Sequence, residues 1–265
     1  MKFDQMELTE EHITSNLGTT IFGRRIISFK SIKSTMDYAK SLAERDEPEG
    51  TIVIADYQSK GRGRFGRVWT SEPGKNILMS IIIRPSIPLE KFGLISFLSA
   101  VSVAEAIEKI ANVKVNTKWP NDLLINGKKV SGILMEASIT ADKGDFVILG
   151  IGVNVNQEGF PKEIKNYATS LLIETGKYYD RVALLQEILR SLESNYLKVN
   201  QTHDFTEIMK KWKEKCSMLG KEITLIHAGK TINGTAVDVD SKGFLQLKVG
   251  ESTISLSSGE VTIVK

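Results

Sequence analysis

The stretch Ile77–Ile83, ILMSIII, is apolar at nearly every position. A strand covered on one face alternates apolar and polar residues; a run with almost no polar face must be covered on both. The chain therefore needs a sheet with this strand in its interior and further layers packed above and below it. Thr51–Ala55 is a second short β-branched strand and Arg25–Phe29 a first one, preceded by a helix over Thr9–Leu17 that Thr9 caps. Pro88 opens a long helix whose apolar positions Phe92, Ile95, Leu98, Val101 and Ile107 keep helical spacing. Val113–Lys118 returns as a strand until Pro120 breaks the pattern.

Leu123–Ile125 and Lys129–Met135 are two apolar strands joined at Asn126 and Gly127, the dipeptide that suits a two-residue type I′ hairpin. That turn pairs Lys129 with Leu124. If the strand stays regular, Asp122 then shares a face with Lys129, their Cβ atoms about 7 Å apart, with Gly132 leaving open space beside them. The alternative is a solvent-facing ion pair at a hairpin tip. Phe146–Val155 is a further strand. Asp180 caps a helix with the stripe Val182, Leu185, Ile188, Leu189, Leu192, Tyr196 and Val199, and another helix spans Phe205–Met218. From Gly220 the texture changes to short alternating strands, Ile223–His227, Ile232–Asp238, Phe244–Val249, Ser252–Leu256 and Val261–Val264, the pattern of a small β-barrel. A domain boundary is placed near Leu219.

A net charge of +3 is too small to demand nucleic acid. One cysteine, Cys216, can build neither a disulfide framework nor a thiolate zinc site, which favours a reducing cytoplasm. No segment approaches the roughly 18 uncharged apolar residues of a membrane span, and the acidic start of the chain does not read as a signal peptide. The three histidines are too scattered for a metal site. The short stretch ahead of the first strand leaves no room for a winged-helix DNA-binding domain, so no DNA partner is expected.

Four segments carry chemistry. In QSKGRGRFGRVW, Gln58–Trp69, three glycines permit positive φ and close backbone approach while Arg62, Arg64 and Arg67 supply forked cations, a composition suited to holding an anion. A flexible basic surface loop, or an RNA-contacting tract, reads equally well. In FKSIKSTMDYAK, Ser34 and Thr35 fall between a strand and a helix, where hydroxyls usually cap. KWPNDLLINGKKVSGILME carries the Asp122 and Lys129 pair. In GIGVNVN, Gly150–Asn156, two glycines in a strand imply a bulge or something approaching the backbone closely.

Taken in order, STM, GRGRFGRVW, KWPND, KKVSGIL and GIGVNVN resemble the biotin protein ligase family, from about Phe29 to Asn156. The resemblance implies an α/β (α+β) catalytic domain over residues 1–218, a mixed sheet flanked by helices and related to class II aminoacyl-tRNA synthetase cores, and an SH3-like barrel over 219–265. It implies a cytoplasmic ligase that joins biotin to AMP from ATP, then passes biotin to a lysine of a biotin carboxyl carrier protein. Ser34, Thr35, Gln58, Gly61, Arg62, Lys129 and Gly132 would bind biotin, with Gly61 and Arg62 near its carboxylate. Arg64, Arg67, Trp69, Lys118, Asn121, Asp122 and Asn154 would serve the nucleotide, and Arg62, Lys118, Lys129 and Asp122 the chemistry. Mg²⁺ would arrive on ATP, with Asp122 a candidate protein oxygen. Met36 departs from the Asn often found after Ser-Thr in the family. The Gly61–Gly66 loop is expected to be poorly ordered without ligand. A homodimer built on a sheet edge is allowed, though no segment selects it. The rival readings are a lipoate-protein ligase, against which the full GRGRFGR loop argues, and an RNA-binding module gripping phosphates through the three arginines.

Overall fold

A computed structural model describes residues 7–139 and 146–263. A seven-stranded sheet runs in the order β1 (Ile26–Phe29), β2 (Ile52–Ala55), β3 (Ile77–Ile83), β7 (Phe146–Val153), β6 (Lys128–Ser138), β5 (Asp122–Ile125) and β4 (Asn116–Lys118). β1 and β2 are parallel and every other neighbouring pair is antiparallel. β3 lies inside the sheet and all seven of its residues are buried, as its continuous apolar run requires.

The two faces are covered differently. Ile77, Met79, Ile81 and Ile83 point into a large core with α3 (Ile95–Ala111), α5 (Arg181–Thr202) and α6 (Thr206–Glu214). On the other face Ile82, Val53 and Ile148 meet Met36, Ala39 and Ala43 of one short helix, α2 (Thr35–Ala43). One helix cannot cover seven strands, so part of this face is left for the site. The expected first helix is α1 (Glu10–Thr14), with Thr9 accepting from His12 N, and Asp180 caps α5 by accepting from Val182 N. Pro88 opens a 3₁₀ turn over Leu89–Leu94, and the α-helix begins only at Ile95. Trp212 is fully buried against Phe97, its ring centroid 5.0 Å away.

The hairpin forms at Asn126 and Gly127, both at positive φ, and Leu124 pairs with Lys129. It is not regular beyond that point. Leu123 pairs with Ser131, so Val130 bulges and Asp122 comes opposite Gly132. Strict alternation would have put Gly132 on the face opposite Lys129; the extra residue brings both onto the face of Asp122.

The C-terminal strands β8 (Glu222–His227), β9 (Lys230–Val239), β10 (Leu245–Val249), β11 (Ser252–Leu256) and β12 (Glu260–Ile263) form one antiparallel sheet in the order β11-β10-β9-β8-β12. The chain crosses back after β11 so that β12 pairs with β8. The two edge strands do not pair with each other among the described residues, so the expected barrel is not closed by hydrogen bonds. Val264, expected in the last strand, lies outside the described residues. The linker before this sheet runs beside β4: Thr117 N donates to Lys215 O and Ser217 N to Thr117 O. The Lys-rich stretch of α6 is largely paired rather than free, with Lys211 to Glu105 at 2.8 Å, Lys213 to Asp238 at 2.7 Å and Lys215 to Glu108 at 2.6 Å. No helix among the described residues is long and apolar enough to cross a membrane.

Ile81, fully buried in the large core, should set much of the stability. Ile81→Ala is expected to lower unfolding free energy by about 2–5 kcal/mol in urea denaturation; a loss below about 1 kcal/mol would contradict this packing.

A candidate active site over a floor of glycines

Residues paired directly across antiparallel strands share a face. Lys118 pairs with Asp122, Asp122 with Gly132, Gly132 with Gly152 and Gly152 with Leu78, which makes one row across five strands on the α2 side. The next row holds Leu134, Gly150 and Ser80, and the one after it Glu136, Ile148 and Ile82. The glycines keep the middle of this face low. A Cβ on Gly152 would meet Trp69 Cε2 at 2.7 Å, one on Gly132 would meet Trp69 Cζ3 and Lys129 Cε at 2.9 Å, and one on Gly150 would meet Met36 Sδ at 2.6 Å. The two strand glycines are thus explained by close approach of Trp69 and Met36, and the space beside Gly132 is filled, not open.

At the Lys118 end of the row, Lys129 Nζ lies 2.6 Å from Asp122 Oδ1 and 5.4 Å from the centre of the Trp69 ring. Burial pulls the Lys118 ammonium below its ordinary pKa, with Lys129 and Arg67 adding like-charge repulsion and Asp122 and Glu260 opposing it. Burial likewise lowers Arg64, against attraction from Asp122 and Glu260.

The excursion between β2 and β3 folds over this face. Trp69 N donates to Gly61 O at 3.0 Å and Gly63 N to Arg67 O at 2.8 Å, closing residues 61–69 into a small hairpin. Of its three glycines only Gly66 has positive φ, at 73°, and Phe65 joins it at 54°. Gly61 is required by space, since a Cβ there would lie 2.6 Å from Trp69 O, whereas Gly63 has ordinary room. Each arginine finds a different partner. Arg62 bridges Asp37 of α2, at 2.6 Å, and Glu136 of β6. Arg64 Nη1 donates to Gly259 O at 3.4 Å, and Arg67 pairs with Glu260 of β12.

Ser34 caps α2, its hydroxyl accepting from Asp37 N. Thr35 donates through N and Oγ1 to Gln58 Oε1, at 2.7 and 2.9 Å, and accepts from Ser80 Oγ at 2.8 Å. Asn121 turns back on the sheet, donating to Ile133 O and accepting through its own carbonyl from Ile133 N. Asn154 donates to Thr169 O at 3.0 Å, while its Oδ1 is buried and, like Trp69 Nε1, has no partner among the described residues. Trp119 is buried and donates from Nε1 to Gly243 O at 3.0 Å, a packing role.

The structure therefore brings Lys118, Asp122, Lys129, Gly132 and Trp69 together at one end of the face, and Ser34, Thr35, Gln58 and Gly61 along its α2 side. Arg62 reaches the face through Glu136, whereas Arg64 and Arg67 turn toward the C-terminal sheet, and Asn121 and Asn154 serve backbone contacts. Sequence reading missed Asp37, Glu136, Ser80, Gly259 and Glu260. Glu136 alone had a signal, since it follows Gly132 by two alternations along one strand; the others are neighbours only in space. Among the described residues no group of three or more His, Cys, Asp or Glu side chains is gathered to hold a metal.

Residues 28–154 match the Biotin/lipoate A/B protein ligase family and residues 218–264 the Biotin protein ligase C terminal domain. The chain is 39% identical over 259 residues to the bifunctional ligase/repressor BirA of Bacillus subtilis, covering 97% of this chain and 79% of that one. It is 31% identical to the biotin--[acetyl-CoA-carboxylase] ligase of Mycobacterium tuberculosis, over 80% of this chain and 79% of the other. The solved biotin protein ligase of Aquifex aeolicus in complex with biotin and ATP superposes with a TM-score of 0.79 at 33% identity, over 91% of this chain and 99% of that one. With the C-terminal match and relatives of this identity pointing the same way, the chain belongs to the biotin protein ligase family.

Proposed function

We propose that this chain condenses biotin with ATP to biotinyl-5′-adenylate and transfers the biotinyl group to a lysine of a biotin carboxyl carrier protein. The observation that carries the reading is the row Lys118, Asp122, Gly132 and Gly152, with Lys129 and Trp69 set against it: cations gathered over a floor from which side chains are missing. The biotin carboxylate attacks the α-phosphorus of ATP and pyrophosphate leaves; the carrier amine then attacks the carbonyl of the mixed anhydride and AMP leaves. No protein nucleophile is needed. The work of the site is to bring two anions together, orient them, and meet the charge that develops on the phosphoryl oxygens.

In this reading Ser34, Thr35 and Gln58 take the ureido end of biotin, and Gly61, Arg62 and Gly132 line its chain and carboxylate. Lys118 and Lys129 hold the carboxylate and α-phosphate oxygens. Arg64, Arg67, Trp69, Asn121, Asp122 and Asn154 serve the nucleotide; the unpartnered Trp69 Nε1 and Asn154 Oδ1 are consistent with a polar ligand there. Mg²⁺ would arrive with ATP and offset the charge of its phosphates, with Asp122 the acidic side chain of the site that would hold it. Arg62, Lys129 and Arg67 exchange carboxylates for ligand anions, and the closed hairpin keeps water from the adenylate. We place the boundary between catalytic and C-terminal domains at Leu219. We also propose a cytoplasmic setting, a ligase that does not bind DNA, and a sheet edge as the surface of any homodimer. The relatives and the C-terminal domain favour biotin over lipoate.

Pyrophosphate release should require biotin, and Arg62→Ala and Lys129→Ala should each lower its kcat/KM by about 10²–10³-fold. Release with lipoate alone would move the chain to the sister activity. Release with neither acid, together with salt-sensitive RNA binding, would favour the RNA-binding reading. Amides of residues 61–69 should gain hydrogen-exchange protection when biotin and ATP are added; equal protection in both states would argue against closure. Because burial lowers Lys118, its NMR titration should fall below the ordinary lysine value of about 10.4, so that its charge and the rate it supports are lost as pH rises through that lower value. Asp122→Asn removes an opposing attraction and should lower it further; a titration at or above the ordinary value would overturn this account.

A further inference from the structure

The long excursion over residues 56–76 carries Gln58, Gly61, the three arginines and Trp69, and a flexible connection of that length holds no geometry unless its stems are fixed. Both stems converge on one side chain. Arg181 Nη1 donates to Asp56 Oδ1 at 2.7 Å, on the residue that follows β2, and to Asn76 O at 3.1 Å, on the residue that precedes β3. Gly74 N donates to Asp56 O at 3.0 Å and closes the same base. The Asn76 side chain extends the tie: it donates to Gln157 Oε1 at 2.5 Å and accepts from Val155 N at 3.0 Å, which joins the second stem to the strand end that bears Asn154.

Arg181 is an expensive residue for this place. Its side chain is 3% exposed against 23% for Asp56, and its Nε is buried with no partner among the described residues. It is also the first residue of α5, where the helix dipole disfavours a cation. Buried ion pairs roughly break even against apolar residues of the same shape, so stability alone does not call for one here. A guanidinium does what an apolar side chain cannot: one nitrogen offers two hydrogens in a fixed plane and so sets the two stems relative to each other and to a helix of 22 residues.

We infer that Arg181 is a positioning residue that locks both stems of the 56–76 excursion and so places its ligand-binding side chains over the glycine floor. The inference rests on the reading above of what that segment binds. It is tested with full-length wild type, Arg181→Lys, and the double variant Arg181→Met with Asp56→Asn, which removes both charges while Met retains an unbranched apolar stem and Asn the outline of Asp56. Thermal midpoint, KM for biotin and kcat in pyrophosphate release, and hydrogen exchange along the chain are measured together. The double variant should melt close to wild type, raise KM for biotin by about 10–100-fold with a smaller change in kcat, and speed exchange of the 57–76 amides while β3 stays protected. Arg181→Lys, which keeps the charge and loses the fork, should fall between. Wild-type KM and loop exchange in the folded double variant would overturn the inference, as would a loss of protection spread evenly through α5 and β3. If the double variant does not fold, Arg181→Lys decides by the same readouts. A wild type without biotin-dependent pyrophosphate release refutes the functional reading alone, because the exchange of the loop is measured without any chemistry.

Discussion

A sheet whose central strands are apolar on both sides has no natural room for a polar group beside it, and this molecule lets side chains from other segments down onto the sheet by leaving its own side chains off. Gly132 and Gly152 stand side by side on neighbouring strands, with Gly150 in the next row, on the face that a single helix covers. Interiors pack close to crystal density, so a missing side chain must be replaced by another group. Here the replacements are Trp69 and Met36, both lying closer to the glycine backbone than a Cβ would permit. The rest of the site follows from that low floor: the loop that brings Trp69 must fold over it, and Lys118, Asp122 and Lys129 lie at its rim because a bulge at Val130 turns the hairpin toward it.

The electrostatics are balanced without ligand. Arg62 holds Asp37 and Glu136, Lys129 holds Asp122, and Arg67 holds Glu260. These pairs are partly exposed, and such contacts contribute about 0–1 kcal/mol each. In the proposed reaction an incoming carboxylate or phosphate would have only weak partners to displace, whereas unpaired cations in the same positions would repel one another. Burial works in the opposite sense at Lys118, making its charge more costly and an anion beside it more welcome.

The C-terminal sheet is joined to this arrangement at three places. Its linker runs along the edge strand that carries Lys118, Gly243 O accepts from Trp119 beside that lysine, and Gly259 and Glu260 receive Arg64 and Arg67. A shift of this sheet would therefore be felt both at Lys118 and in the arginine loop. Arg181 supplies the corresponding tie on the other side, between that loop and the helical layer.

By itself the sequence determined the periodic elements and the chemical kinds. The apolar run at Ile77–Ile83 dictated an interior strand, Asn126 and Gly127 dictated a hairpin with Leu124 opposite Lys129, Thr9 and Asp180 marked two helix starts, and the motifs supplied the arginines, lysines and glycines from which the anion site is proposed. These are legible because they depend on local backbone preference and on a period of two or 3.6 residues. Only the tertiary structure decided which face each residue serves. One bulged residue moved Gly132 onto the side of Lys129, the glycines answered to Trp69 and Met36 rather than to open space, and the last strand crossed back to β8, leaving the C-terminal sheet open. Asp37, Glu136, Glu260 and Arg181 are separated in sequence by tens of residues or more from the groups they hold, and no local pattern encodes such a meeting. It arises when the sheet brings distant segments together and each buried or half-buried charge must find a partner.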